Sequence, residues 1–174
     1  YGLPYPTTFS INSKQVYSAV SLSSDVQFTK GVFQKVSIDF QRFSDAYGSQ
    51  EYRLEADSSL QLNIFHQSIN TNLSIDYLNG EFNQNYLDPE QNSYVNTLFS
   101  VSPSYKYFQG DLAVSVGVRA TFLIDSNRSI NRFYIYPNIE ASYSIVNSIV
   151  LAYAQIKGDL IQNTYSAFAQ INPF

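Results

Sequence analysis

The sequence predicts an all-β chain, an antiparallel up-and-down meander of about eight long strands that forms a transmembrane β-barrel or a segment of a larger one. Three observations predict it. Tyr52, Leu54, Ala56, Ser58, Leu60, Leu62 and Ile64 fall on one face of an extended chain, and Arg53, Glu55, Asp57, Ser59, Gln61 and Asn63 on the other. That is about 13 residues of period two, where an ordinary strand runs about 5–6. Turn signals recur along the chain, tight ones alternating with longer polar connections. No segment carries a convincing helical period. A long strand with one apolar and one polar face suits a sheet standing between lipid and water.

The first expected strand runs near Val16 to Phe28, with Val16, Val20, Leu22, Val26 and Phe28 opposite Ala19, Ser21, Ser23, Asp25 and Gln27. The second runs near Val32 to Phe43, where Val36, Ile38 and Phe40 oppose Ser37, Asp39 and Gln41. The third is Tyr52 to Ile64. The fourth, near Thr71 to Leu78, sets Leu73, Ile75 and Tyr77 against Asn72, Ser74 and Asp76. The fifth runs near Tyr94 to Tyr107 and the sixth near Leu112 to Ile124, the latter with Val114, Val116, Val118 and Phe122 opposite Ser115, Gly117, Arg119 and Thr121. The seventh, near Arg132 to Ile145, opposes Phe133, Ile135, Ile139 and Tyr143 to Asn138, Glu140 and Ser142; the eighth, near Ile149 to Lys157, is apolar on both faces. Pro103 and Pro137 fall inside expected strands and remove a ladder hydrogen bond each, which fits a bulge or a shorter strand.

Tight turns are expected at Lys30-Gly31, His66 to Asn70, Phe108 to Asp111 and Val146 to Ser148. Longer connections are expected at Ser44 to Glu51, Asn79 to Ser93 and Asp125 to Asn131. Tight turns on one rim and longer loops on the other is the layout of outer-membrane barrels, whose short turns face the periplasm. In that orientation both ends of the chain lie on the outer side, whereas complete barrels of this kind begin and end in the periplasm. The expectation is therefore one barrel domain over residues 1–174, incomplete and without a plug domain. Two more strands, near Tyr5 to Ile11 and Thr164 to Ile171, are the alternative, closing a barrel of about ten strands.

Composition agrees and narrows the class. Hydrophobic residues make up 44% of the 174-residue chain, too many for disorder, and aromatics, all Tyr or Phe, 16%. Tyrosine suits a membrane–water boundary, although a strand-rich soluble protein also uses it. There is no cysteine, hence no disulfide or thiolate metal site, and no methionine, which points to a processed chain or a piece of one. No run of about 18 apolar residues offers a transmembrane helix. A net charge of −4 and a pI near 4.8 argue against a nucleic-acid partner.

The polar faces gather Asp25, Asp39, Glu55, Asp57, Asp76 and Glu140 with Arg119 on one side of the sheet. Inside a barrel these would line a lumen and favour cations or polar neutral solutes. The plainer reading is a wall made wettable by acids, with Arg119 paired to one of them. Asn79, Gly80, Asp88 and Glu90 are the outer-loop candidates; Asp88 and Glu90 are oxygen donors, but their spacing matches no calcium loop. His66, the sole histidine, falls at a tight turn beside Gln67 and Ser68, without the nucleophile and orienting acid that catalysis requires. Carboxylate pairs such as Glu55 and Asp57 occur on any polar strand face. No phosphate-loop, dinucleotide or zinc-protease motif is present. No catalytic residue, cofactor or metal is expected.

The segment from Phe133 to Phe174 resembles barrel segments of TonB-dependent-receptor-like outer-membrane proteins of Bacteroidota. The resembling elements are Pro137-Asn138-Ile139-Glu140-Ala141-Ser142-Tyr143, Tyr153 with Lys157-Gly158-Asp159-Leu160, Gln162-Asn163-Thr164-Tyr165, and Asn172-Pro173-Phe174. The resemblance covers about a quarter of the chain. It implies a bacterial outer-membrane barrel related to nutrient-uptake receptors, in which an Asn-Pro-Phe stretch sits in an outer loop and further strands follow. Neither a plug domain nor a TonB-box-like segment is visible, and no substrate-binding motif carries over.

The first functional expectation is a porin-like transport role: a barrel wall contributing to passage or reception of small solutes, in contact with lipopolysaccharide-containing lipid. The second is a non-transporting barrel whose loops bind other outer-membrane proteins. The third is a soluble β-sandwich binding module, whose apolar faces would meet each other.

Overall fold

A computed structural model describes residues 15–65, 67–83, 92–146 and 149–172. They form one antiparallel sheet of eight strands in chain order: β1 (Tyr17–Gln27), β2 (Phe33–Asp45), β3 (Gln50–Ile64), β4 (Gln67–Phe82), β5 (Asn92–Gln109), β6 (Leu112–Asp125), β7 (Ile130–Val146) and β8 (Val150–Lys157). The all-β meander is as the alternation predicts. The sheet is open, with β1 and β8 as its two edges. Because all eight strands share one sheet, the face-to-face apolar packing of a β-sandwich is absent among the described residues.

Cross-strand register fixes which residues share a face, since directly opposed residues point the same way. One row reads Ile38, Ala56, Ile75, Phe99, Phe122 and Phe133 across β2 to β7. The next row reads Asp25, Ser37, Asp57, Ser74, Ser100, Thr121 and Tyr134 across β1 to β7. It runs off the sheet there, because β8 pairs with β7 only from Asn138 onward. The strands are thus staggered against one another, as they are in barrel walls.

The apolar face is bare. Leu22, Ile135 and Ile139 on it are 70%, 65% and 36% exposed, values that a packed core would not allow. Leu60 is the one buried apolar side chain of this face among the described residues; Phe43, Leu78 and Leu98 are buried on the polar face instead. They share that face with a short helix, α1 (Tyr165–Ile171), whose Ala169 is also buried.

Several expectations are corrected. Residues 164–171, offered as a possible closing strand, contribute a cap and α1 instead: Thr164 is the N-cap and its hydroxyl oxygen accepts the Ala167 N–H. The connections expected to be long at Ser44 to Glu51 and Asp125 to Asn131 are tight. Asp45 accepts the N–H groups of Tyr47 and Ser49, Asp125 accepts that of Arg128, and each carboxylate folds the chain back at once. The β3–β4 turn is also tighter than expected, since Gln67 to Asn70 pair with Gln61 to Ile64. Asn79 and Gly80 are not loop residues: they lie in β4, opposite Tyr52 and Glu51. Gly80 reads as a turn signal but serves as a bare strand position, on which the Tyr94 ring lies where a Cβ would be. Neither proline marks a bulge. The β5–β6 ladder omits Ser102 and Pro103 and resumes in step at Ser104–Gly117, and Pro137 pairs in register with Val118; the irregularities fall at Phe33/Lys35 and Ser144/Val146. His66, Asp88, Glu90 and the strand expected near Tyr5 to Ile11 lie outside the described residues.

Candidate functional site

The polar face and the segment that crosses it form the candidate site. After β8 the chain turns back over the sheet. The Gly158 N–H donates to the Pro137 carbonyl at 3.1 Å, and Gly158 packs on Tyr136 so closely that a Cβ would meet the ring at 2.7 Å. Asp159 then pairs with Arg119 of β6 at 2.8 Å. The Gln162 amide donates to the Asp76 main-chain carbonyl of β4 at 2.9 Å. At the start of α1 the Tyr165 and Ser166 N–H groups donate to the two oxygens of Glu51 on β3, at 2.7 and 3.2 Å. Gln41 of β2 donates to the Ser166 hydroxyl. The segment therefore spans the face from one edge of the sheet almost to the other.

Glu51 is buried to 3% exposure and is the anchor of this arrangement. The Tyr94 hydroxyl donates to the same Oε2 atom that receives the Tyr165 N–H. A carboxylate facing free N–H groups at a helix start completes the donors that a helix leaves unpaired there. Tyr165 closes the other side. Its hydroxyl donates to Asp45 at 2.7 Å, and its ring meets Phe43 and Phe82 edge-on at centroid distances of 5.2 and 5.1 Å. Burial first, and then the hydrogen bond to Asp45, push the Tyr165 hydroxyl above the ordinary tyrosine range.

Between the strap and the wall lies a cavity of about 250 Å³, bordered by Arg53, Glu55, Asp57, Asp76, Arg119 and Leu160. Its lining is net acidic: with Asp159 of the strap, four carboxylates face two guanidinium groups. Arg53 holds Asp76 through two parallel bonds of 2.9 and 2.8 Å and reaches Glu55 at 2.9 Å. Arg119 also donates to Ser74 at 3.3 Å. A second space of about 380 Å³ opens beside it, bordered by Asn72, Ser102, Asn138, Lys157 and Asp159.

Of the residues singled out from sequence, Glu55, Asp57, Asp76 and Arg119 come together around the first cavity. Asp39 stands beside Glu55 in the adjoining depression with Ser21 and Gln41. Asp25 and Glu140 share the face but stand apart: Asp25 takes Lys35 at 2.9 Å and the Ser37 hydroxyl at 2.6 Å, and Glu140 takes Lys157. Sequence reasoning missed Arg53, Glu51, Asp45, Tyr94, Gln162 and Tyr165 as site residues. Arg53 was legible as the cation between two acids on β3. The other contacts depend on a segment that doubles back, and the only local sign of it is the Asn163-Thr164 capping pair.

The arrangement offers a polar, net acidic binding surface. Among the described residues no cluster of three or more His, Cys, Asp or Glu side chains is placed to hold a metal ion. No family model, curated protein or solved structure matches the chain.

Proposed function

We propose that the chain is part of the wall of a bacterial outer-membrane β-barrel, of the TonB-dependent-receptor-like kind, contributing to passage or reception of small solutes along its polar face. One observation carries this reading. Eight strands present an apolar face that no described element covers, while the opposite face is polar and holds ion pairs around Arg53 and Arg119. Between β1 and β8 the backbone bonds are satisfied strand to strand, and the two open edges are where further wall would pair to close a barrel at the depth of lipid. Tyr52 and Tyr77 lie on the apolar face near one rim, and Tyr105, Tyr107 and Tyr143 near the other, where amphipathic rings suit the headgroups.

The test is refolding with and without micelles, followed by far-ultraviolet circular dichroism and by heat-modifiable gel migration. A β-signal and mobility shift that need micelles support the reading. A cooperatively folded monomer without detergent overturns it.

A non-transporting barrel that acts as scaffold or interaction module gains support from one feature, the strap lying across the polar face. Reconstituted vesicles separate the two: solute flux above that of empty vesicles supports passage, and its absence supports the scaffold.

A further inference from the structure

We infer that the segment from Asp159 to Ile171 is a displaceable strap that governs access to the cavity beneath it. The inference rests on the reading of the polar face as a solute path. Three features carry it.

The strap is held by polar contacts more than by apolar burial. Of its large aliphatic and phenyl side chains, Ile161, Phe168 and Ile171 are 77%, 58% and 82% exposed, and only Leu160 is half-buried, over the cavity. Its attachments are the Asp159, Gln162, Tyr165 and Ser166 bonds, each of which water can replace. A helix of seven residues does not persist on its own, so α1 exists only while docked.

The wall keeps partners for its charges when the strap leaves. Glu51 retains the Tyr94 hydroxyl, the Asp45 carboxylate retains the Tyr47 and Ser49 N–H groups, and Arg119 retains Ser74. Arg119 gives up its ion pair with Asp159, but at 28% side-chain exposure it is open to water, so release strands no fully buried charge, the event that would make it prohibitive. Against release stand the rings of Phe43 and Tyr165 and the coverage of Leu78, which bias the balance toward the closed form. Two arrangements of similar free energy are what a ligand or neighbouring segment can shift.

The cavity lies directly under the first part of the strap, with Asp159, Leu160 and Ile161 as its cover and Ser74 on its floor. Lifting the strap uncovers Arg53, Glu55 and Asp57 together.

The chain has no cysteine, so one introduced at Ser74 is its sole thiol. Its reaction with a neutral, water-soluble maleimide is timed in micelles, alone and combined with Glu51→Ala, with Ser115→Cys as a control on the same face away from the strap. Modification of Ser74→Cys is expected to quicken about tenfold with Glu51→Ala while Ser115→Cys is unchanged. If both thiols quicken, the sheet itself has loosened, and the strap-only pair Gln162→Ala with Tyr165→Phe decides instead. A selective rise there supports the strap; equal rates with and without these changes overturn it. Selective exposure of Ser74→Cys with no solute flux in vesicles upholds the moving strap and sinks the transport reading instead.

Discussion

Arg53 is the side chain on which the wall's charge balance turns. It stands between Asp76, which it binds with two parallel bonds, and Glu55, and its side chain is only 23% exposed. Removing it leaves two acids facing each other in a half-buried site. Arg53→Ala is expected to cost about 1–3 kcal/mol, read from urea unfolding in micelles. Arg53→Lys is expected to recover less than half of that, because an ammonium cannot make the two parallel bonds. Gly80 is the opposite case, a residue needed for what it lacks. A Cβ there would stand 2.1 Å from the Tyr94 ring. Gly80→Ala is expected to displace that ring, deprive Glu51 of its hydroxyl donor and destabilise by about 1–3 kcal/mol; additional exchange at the Tyr165 and Ser166 amides would report the coupling. The role of Gly80 could not be read from sequence, since Asn79-Gly80 has the composition of a turn and Tyr94 lies 14 residues away on β5. The side assignments of Asp57, Asp76 and Arg119 could be, because period two alone decides them.

Among the elements, the strands were legible to within a few residues and the helix was not. Each strand carries its own face pattern, whereas α1 draws its stability from Glu51 and Asp45 on other elements, and Tyr165-Ser166-Ala167-Phe168 has no helical stripe of its own. The two short loops were overestimated because a polar run looks long until one aspartate folds it. The docking of α1 has a pH dependence whose sign follows from Tyr165. Its hydroxyl is neutral in the docked form and titrates above the ordinary value, with Asp45, Glu51, Tyr17 and Tyr94 around it. Its contribution is whole below about pH 10, the unfolded value, and is lost as pH rises through the higher docked value. Protease sensitivity of the strap is expected to rise steeply in that alkaline window in the native chain. Tyr165→Phe, lacking the group, is expected to show no such step; an identical step in the variant would assign the transition elsewhere.

The molecule as a whole has two faces with different tolerances. On the apolar face, Phe99→Arg is expected to cost about 2–4 kcal/mol in a bilayer. Ser115→Arg, on the polar face beside Glu140, is expected to cost less than 1 kcal/mol. Urea titration in liposomes measures both, and equal costs would count against the proposed lipid-facing side. The same two faces were what the alternation predicted; the strap was not, because it is a relation between distant residues. Those distances also order events in time. Each strand pairs with the next along the chain, so the sheet assembles from short loops, whereas Tyr165 meets Asp45 across 120 residues and Ser166 meets Glu51 across 115. Closing so long a loop gains nothing until β2, β3 and β4 already hold their acceptors in place. The strap is thus a late-forming element, and pulse-labelled exchange during refolding is expected to protect the Tyr165 and Ser166 amides only after those of β3 and β4. A chain stalled before that step would have a paired sheet and an uncovered cavity, so the fraction whose strap resists a protease would count finished molecules.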